Sequence, residues 1–201
     1  MNQTQVADKP GLRERKKAKT RAAIQEHALR LFREQGYDAT TVEQIAEAAE
    51  VSPSTFFRYF GSKEDVVIYD ALDPILIEAW RRQPHDLGPI PAMRNAMLEV
   101  FGRLGPDEVA EMRLRGRLVY GIPALRSAMI DDMVRTSALM TGEIALRTGR
   151  PADDLAVRVF TGAMMGALMA AMLPALEDGS SDLLGLVEQV FALLEAGLPL
   201  K

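Results

Sequence analysis

Residues 40–63 read TTVEQIAEAAEVSPSTFFRYFGSK, and the fold of the chain follows from how that stretch is parsed. Thr40 begins a T-x-x-E pattern with Glu43, the signature of a capping box in which a hydroxyl accepts from an early helix N–H and the carboxylate reaches back. Val42, Ile45, Ala46 and Ala49 follow at helical spacing and give a short helix one apolar face. Glu50-Val51 breaks the pattern, and Ser52 offers a second N-cap with Pro53 at the first helical position. A second short helix then runs from Ser54 to about Tyr59. Gly61 is placed to end it in a left-handed turn, Ser62 to cap a third helix, and Lys63 falls in that helix's first turn.

Two short helices joined by a tight turn are the layout of a helix-turn-helix, whose second helix enters the major groove of DNA. The side chains suit that work. Arg58 can bond guanine O6 and N7, Ser54 and Thr55 can reach phosphate or base edges, and Tyr59 and Lys63 suit phosphate. Phe56 and Phe60 read as core anchors. An ordinary helical hairpin therefore competes with the DNA reading only for Ser54, Thr55, Phe57, Arg58, Tyr59 and Lys63. Residues 17–77, above all TVEQIAEAAEVSPSTFFRYFGSKEDVV, resemble the N-terminal domain of the TetR family of one-component regulators. The resemblance implies that Thr41, Thr55, Tyr59 and Lys63 fall on phosphate-contacting positions, and that Ser52, Pro53, Ser54 and Arg58 face bases or the groove wall. Phe57 departs from the family, which commonly has Tyr there, so apolar contact with sugar or a thymine methyl replaces a hydroxyl-to-phosphate bond.

The 201 residues can bury a real core, and their net charge of −4 divides unevenly. Residues 1–63 hold 11 Lys/Arg against 8 Asp/Glu, whereas the remainder holds 13 against 20. Seven bases face one acid within residues 9–21. The positive field thus lies where the motif lies, as phosphate attraction requires. The absence of cysteine excludes disulfides and thiolate chemistry and is compatible with a cytoplasmic location; no signal peptide is evident.

Taken in order, the chain predicts an all-α fold of about nine helices. Residues 1–16 form a disordered basic arm that contacts phosphate, residues 17–77 the DNA-binding domain, and residues 78–201 an effector-binding and dimerisation domain. Helix 1 spans about 17–35 and stops at Gly36. His27 reads as a packed or surface histidine. A nearly all-round apolar helix over about 62–83, kinked at Asp73-Pro74, touches both domains. Pro91, Gly105-Pro106, Gly121-Ile122-Pro123, Gly149-Arg150-Pro151 and Asp178-Gly179-Ser180-Ser181 punctuate the later helices.

From Val159 to Leu176 lie 18 uncharged residues, at the edge of membrane-span length. Five are Ala, two are Gly, Pro174 interrupts and no cationic cluster flanks the run, so the expected reading is a helix buried on all sides, with no membrane partner. Gly162, Gly166 and Ala170 recur every four residues as a flat strip. With Leu183, Val187, Val190 and Leu194 of the last helix they predict a two-fold dimer interface, as the family resemblance also implies. Both helices packing inside one protomer is the alternative.

Enzymatic readings lack parts: no Gly-rich phosphate loop, no metal cluster, no nucleophile elbow, and only His27 and His85 as neutral-pH bases. No catalytic residue, metal or cofactor is expected. The expected function is a homodimeric transcription repressor on an inverted-repeat DNA operator, released by an apolar small molecule, with an anionic head as one form. Trp80, Met97, Phe101, Met129 and Met133 are the expected pliable lining. Arg113 and Arg117, one turn apart, are the candidate anion holders, and Arg115 is expected to point away toward Glu111; three solvated surface arginines are the alternative. The rival is a helical carrier or enzyme for apolar small molecules that uses its front helices to oligomerise.

Overall fold

The structure, a computed structural model, describes residues 11–177 and 182–200, and all its regular structure there is helical. The expected disorder of residues 1–10 and the expected loop at 178–181 lie outside the described residues. The chain divides into two compact units, Met1–Val67 and Ile68–Lys201. That division falls ten residues ahead of the expected boundary.

The first unit contains α1 (Leu12–Gln35), α2 (Val42–Ala48), α3 (Pro53–Tyr59) and α4, which begins at Lys63 and ends at Ile68. Its core is built from Ile24, Ala28, Leu29 and Phe32 of α1, Ile45 and Ala46 of α2, Phe56 and Phe60 around α3, and Val66 and Val67 of α4. Residues 12–16 are the first turns of α1, a correction to the expected arm. Nothing in that segment breaks a helix, and Arg and Lys are good helix formers. Gly36 ends α1 at φ 90°, a backbone conformation that L side chains rarely adopt.

The cap of α2 is shifted one residue from its expected place. Thr41 is the N-cap: its hydroxyl accepts from the Gln44 N–H at 3.2 Å, and Gln44 Oε1 accepts from the Thr41 N–H at 2.9 Å. The sequence holds two overlapping boxes, Thr40/Glu43 and Thr41/Gln44, and helix entry at Val42 selects the second. Thr40 is instead buried, its hydroxyl donating to the Gly36 carbonyl at 2.8 Å and accepting from Gln35 Nε2 at 3.1 Å. The left-handed residue near α3 is Glu50, at φ 54°, and not Gly61.

The second unit contains α5 (Asp73–Arg82), α6 (Pro89–Phe101), α7 (Pro106–Gly121), α8 (Pro123–Thr148), α9 (Leu155–Glu177) and α10 (Leu183–Glu195). The described residues thus form ten helices rather than about nine, because the expected helix over 62–83 is two. Pro74 sits at the start of α5, where its missing N–H costs nothing, and residues 69–72 connect the pieces. Ala79 and Trp80 of α5, Met93, Ala96, Met97 and Val100 of α6, Met140 and Ile144 of α8, Val157 and Met164 of α9, and Val187 and Phe191 of α10 make one continuous core. Arg147 of α8 closes the C-terminal end of α5: it donates to the carbonyls of Trp80 at 2.9 Å, Gln83 at 3.2 Å, Pro84 at 2.8 Å and Leu87 at 3.3 Å. Its guanidinium also lies 4.5 Å from the Trp80 ring centroid.

Only one stripe of α9 is buried, carried by Val157, Thr161 and Met164, so the expectation of burial on all sides is corrected. Leu155 is 71% exposed and Val159 60%, and Gly162, Ala163 and Ala170 are exposed as well. Between Leu155 and Leu176 the helix is long and apolar enough to cross a membrane by length and composition alone. Gly166 meets nothing inside the protomer, whereas a Cβ on Gly116 of α7 would lie 2.6 Å from Leu176 Cβ of α9. That neighbour is anchored to backbone and cannot rotate away. Gly116→Ala therefore sets an overpacking cost of about 1–3 kcal/mol against a helix-propensity gain of about 1 kcal/mol, and a net loss in stability is expected. Gly166→Ala, with no clash, should raise stability by up to about 1 kcal/mol. Chemical denaturation of both variants checks the pair, and equal signs would overturn the assigned α7–α9 contact.

Candidate nucleic-acid interface

Ser52 ends the extended turn and caps α3, its Oγ accepting from the Thr55 N–H at 3.1 Å and donating to Thr55 Oγ1 at 3.0 Å; Ser54 Oγ lies 2.9 Å away. Pro53 opens the helix. Phe56 is fully buried and Phe60 nearly so, with ring centroids 5.9 Å apart, so the inner side of this seven-residue helix is fixed. The outer side carries Pro53, Ser54, Phe57 and Arg58, all exposed, with Thr55 and Tyr59 half-buried at its edges. Phe57 is 54% exposed, a large apolar side chain in water beside polar neighbours, which is how contact surfaces look. Thr41 stands exposed at the start of α2.

Lys63 is placed differently from its expected role. Its ammonium donates to the carbonyls of Tyr37 at 2.8 Å and Thr40 at 3.0 Å and sits 4.0 Å from the Tyr37 ring centroid. Two of its three protons thus hold the α1–α2 turn against the start of α4, and one remains for an outside acceptor. Beside it the Tyr37 hydroxyl donates to Glu64 Oε1 at 2.7 Å. Burial, then that bond and the Glu64 charge, push the phenol above its ordinary range. For Glu64, burial acts upward, yet the bonds from Tyr37, its own backbone and Ser62, with the Lys63 charge, outweigh it and hold the carboxyl below its usual value.

The expected effector residues are not gathered into one site. Trp80 and Met97 lie in the core, Phe101 is packed at its edge, and Met129 and Met133 are half-buried on α8 outside that cluster. Arg113 is half-buried and Arg117 exposed. Arg115 corrects the expected face. It turns inward, donates to the Tyr69 carbonyl at 2.6 Å and pairs with Asp70 at 3.2 Å, its side chain 12% exposed. Residues 69–72 form no helix, so their polar groups need partners from elsewhere; a contiguous helix over 62–83 would have hidden that demand. Among the interface candidates, Leu183, Val187 and Val190 are buried within the protomer and Leu194 packs against the core, which corrects their expected partner-facing role. Gly162 and Ala170 are exposed and Gly166 half-buried.

Near Arg115, Asp73 at the start of α5 is crowded by acids. Burial of its carboxyl, then the charges of Asp70 and Asp132, push its pKa up to about 6, with Arg115 opposing. Arg135 pairs with Asp132 at 2.9 Å. A carboxyl whose folded pKa is raised contributes stability fully below its unfolded pKa, and that contribution is lost as pH rises through the folded value, here about 6. Asp73→Asn removes this dependence. Thermal unfolding should therefore show the native chain losing ground to the variant between pH 5 and pH 7; parallel midpoints across that window would refute the crowding.

Comparison with known proteins agrees with this geometry. Residues 24–69 match the model of bacterial regulatory proteins of the tetR family, and residues 87–199 match that of the MftR C-terminal domain. The chain is 41% identical over 157 residues to the HTH-type transcriptional regulator TcmR of Streptomyces glaucescens, covering 72% of this chain and 67% of that one. It is 26% identical over 191 residues to the putative mycofactocin biosynthesis transcriptional regulator MftR of Mycobacterium tuberculosis, covering 92% and 93%. Among solved structures, Thermus thermophilus FadR, a transcriptional repressor in complex with lauroyl-CoA, superposes with a TM-score of 0.55 at 24% identity, covering 90% of this chain and 96% of that one. The fatty acid degradation regulator FadR of Bacillus halodurans gives 0.58 at 21%, covering 95% and 98%.

Proposed function

The chain belongs to the TetR family of bacterial transcriptional regulators, and from that premise we propose a homodimeric repressor that reads an inverted-repeat operator and is released by an apolar effector. The observation that carries the DNA reading is the outer side of α3: Pro53, Ser54, Phe57 and Arg58 exposed on a helix whose inner side is locked by Phe56 and Phe60. Arg58 reads guanine, Ser54 and Phe57 meet base edges or the groove wall, and Thr41, Thr55, Tyr59 and the third proton of Lys63 meet phosphate. Its named relatives are regulators, which supports a binding protein over a catalyst.

Duplexes recovered from random sequence by the native chain supply the assay. Arg58→Ala should lose about 1–3 kcal/mol on the recovered duplex and relax preference at one position per half-site. Equal losses on recovered and scrambled duplex would remove Arg58 from base reading.

The dimer reading is supported by the bare apolar stripe of α9, where Leu155, Val159, Gly162, Gly166 and Ala170 fall on one face. Light scattering should give twice the 22.1 kDa chain mass, and the chain mass alone would exclude the dimer. The effector reading is supported by the half-buried Arg113 and the exposed Arg117 of α7, and by the bound lauroyl-CoA of the T. thermophilus relative in fold. Acyl thioesters and fatty acids should raise the thermal midpoint and lower duplex affinity together. A tenfold release requires about 1.4 kcal/mol of preference for the non-binding arrangement. Ligands that stabilise the chain but leave duplex affinity unchanged would refute the coupling.

A further inference from the structure

Two different neighbours hold α9 along its length. Phe160, Met164, Met165, Leu168 and Met172 pack into the core shared with α5, α6, α8 and α10. Among the described residues, none from α7 belongs to that core. α7 buries Met112, Gly116 and Val119 apart from it, and meets α9 where Leu176 lies against Gly116. Between Met172 and Leu176 stands Pro174, inside the helix and exposed. In the other described helices proline keeps to the first turn, as at Pro53, Pro74, Pro106 and Pro123, where its missing N–H costs nothing. Pro174 is no such start. It leaves the Ala170 carbonyl without its i+4 donor, and its ring crowds that same carbonyl. A helix bends most readily where a proline interrupts its ladder. The interruption therefore falls between the part of α9 anchored in the core and the turn that touches α7.

We propose that Pro174 is a hinge, about which residues 175–177 travel with α7 while α9 up to Met172 stays with the core. Arg115, next to Gly116 on α7, donates to the Tyr69 carbonyl at 2.6 Å and pairs with Asp70 at 3.2 Å. The connector, α7 and the last turn of α9 are thus linked as one group. The bare stripe from Leu155 to Ala170 lies wholly on the other side of the break. α7 can then shift while the stripe keeps its place. The hinge itself rests on neither the DNA nor the effector reading. Its use rests on the dimer reading, because a stripe that joins two copies cannot move in one of them without loosening the pair.

Hydrogen–deuterium exchange of the full chain tests the hinge, read separately on the amides of residues 160–169 and 171–176. Gly116→Ala is the wedge, since its Cβ would come within 2.6 Å of Leu176 Cβ. Pro174→Ala removes the hinge and restores the missing N–H. The wedge alone should speed exchange at 171–176 by about tenfold or more and leave 160–169 within about twofold of native. With both substitutions the acceleration should spread into 160–169. Acceleration of both segments by the wedge alone would mean that α9 moves as one body. Confinement to 171–176 in the double variant would mean that the helix end merely frays. Either result refutes the hinge, as does a wedge that accelerates neither segment. Should Gly116→Ala fail to fold, the native chain and Pro174→Ala suffice. Residues 171–176 should open well before 160–169 in the native chain, and the substitution should bring the two together. Segments that already open together, or a gap that survives the substitution, would overturn the proposal. Light scattering on the same variants tests the use. The wedge alone should leave the dimer intact, and the wedge with Pro174→Ala should shift it toward the single chain. A dimer lost to the wedge alone would refute the separation. A native chain at the mass of one copy removes the dimer reading, and exchange still decides the hinge.

Discussion

A helix of seven residues does not hold itself together in water, because nucleating it fixes several backbone angles for each hydrogen bond gained. Everything that α3 does depends on what lies beneath it. Phe56 and Phe60 point into a core made with Ile24, Ile45, Val66 and Val67, and these contacts, not intrinsic propensity, set its orientation. Ser52 and Pro53 define its first residue. Lys63 fastens the turn between α1 and α2, and Gln25 Nε2 donates to the Val66 carbonyl at 2.9 Å, tying α1 to α4. The aromatic anchors face inward, which leaves Ser54, Phe57 and Arg58 exposed on the opposite side.

That division explains why the reading head was legible in sequence. Caps, a proline and two aromatic anchors lie within a few residues of each other, and local signals of that kind name a unique arrangement. What differs there is register: two threonines in a row offer two capping boxes, and the left-handed residue is Glu50, between α2 and α3, while α3 ends at an extended Phe60 and not in a left-handed Gly61. In the second unit the helices were legible and their faces were not. Helical periodicity says which residues lie together but not which neighbour they meet. Arg113, Arg115 and Arg117 alternate along one helix, and only the non-helical connector at 69–72 decides that Arg115 is the one drawn inward. Arg147, which satisfies the end of α5 from 60 or more residues away, left no local trace at all.

The last two helices show the same limit from the other side. Their apolar residues exceed what one protomer buries, and sequence cannot apportion the surplus. The structure gives Leu183, Val187, Val190 and Phe191 of α10 to the protomer core and leaves Leu155 and Val159 of α9 in water. The helix best suited by composition for complete burial is therefore the one with a bare face, and a second copy of the chain is the covering that the proposed dimer supplies. Its small residues matter for that reason, since a Cβ added at Gly162 or Gly166 would meet nothing within the protomer.

The connector after Val67 concentrates the remaining electrostatic constraint. Asp70, Asp73 and Asp132 meet there, with Arg115 and Arg135 as the cations, so the acids outnumber their partners and one carboxyl is held up to about 6. Arg115 grips Tyr69 and Asp70 by a carbonyl and a carboxylate at once, and removing it would leave the acids facing each other. A ligand that shifted α7 would therefore have to carry Arg115 with it, and the connector's first residues with Arg115, or else separate a largely buried ion pair. The second course leaves an uncompensated charge and costs several kcal/mol, about 3–5 where such pairs have been broken. Moving the pair intact costs far less. The physics thus favours effectors that displace α7 and residues 69–70 as one body.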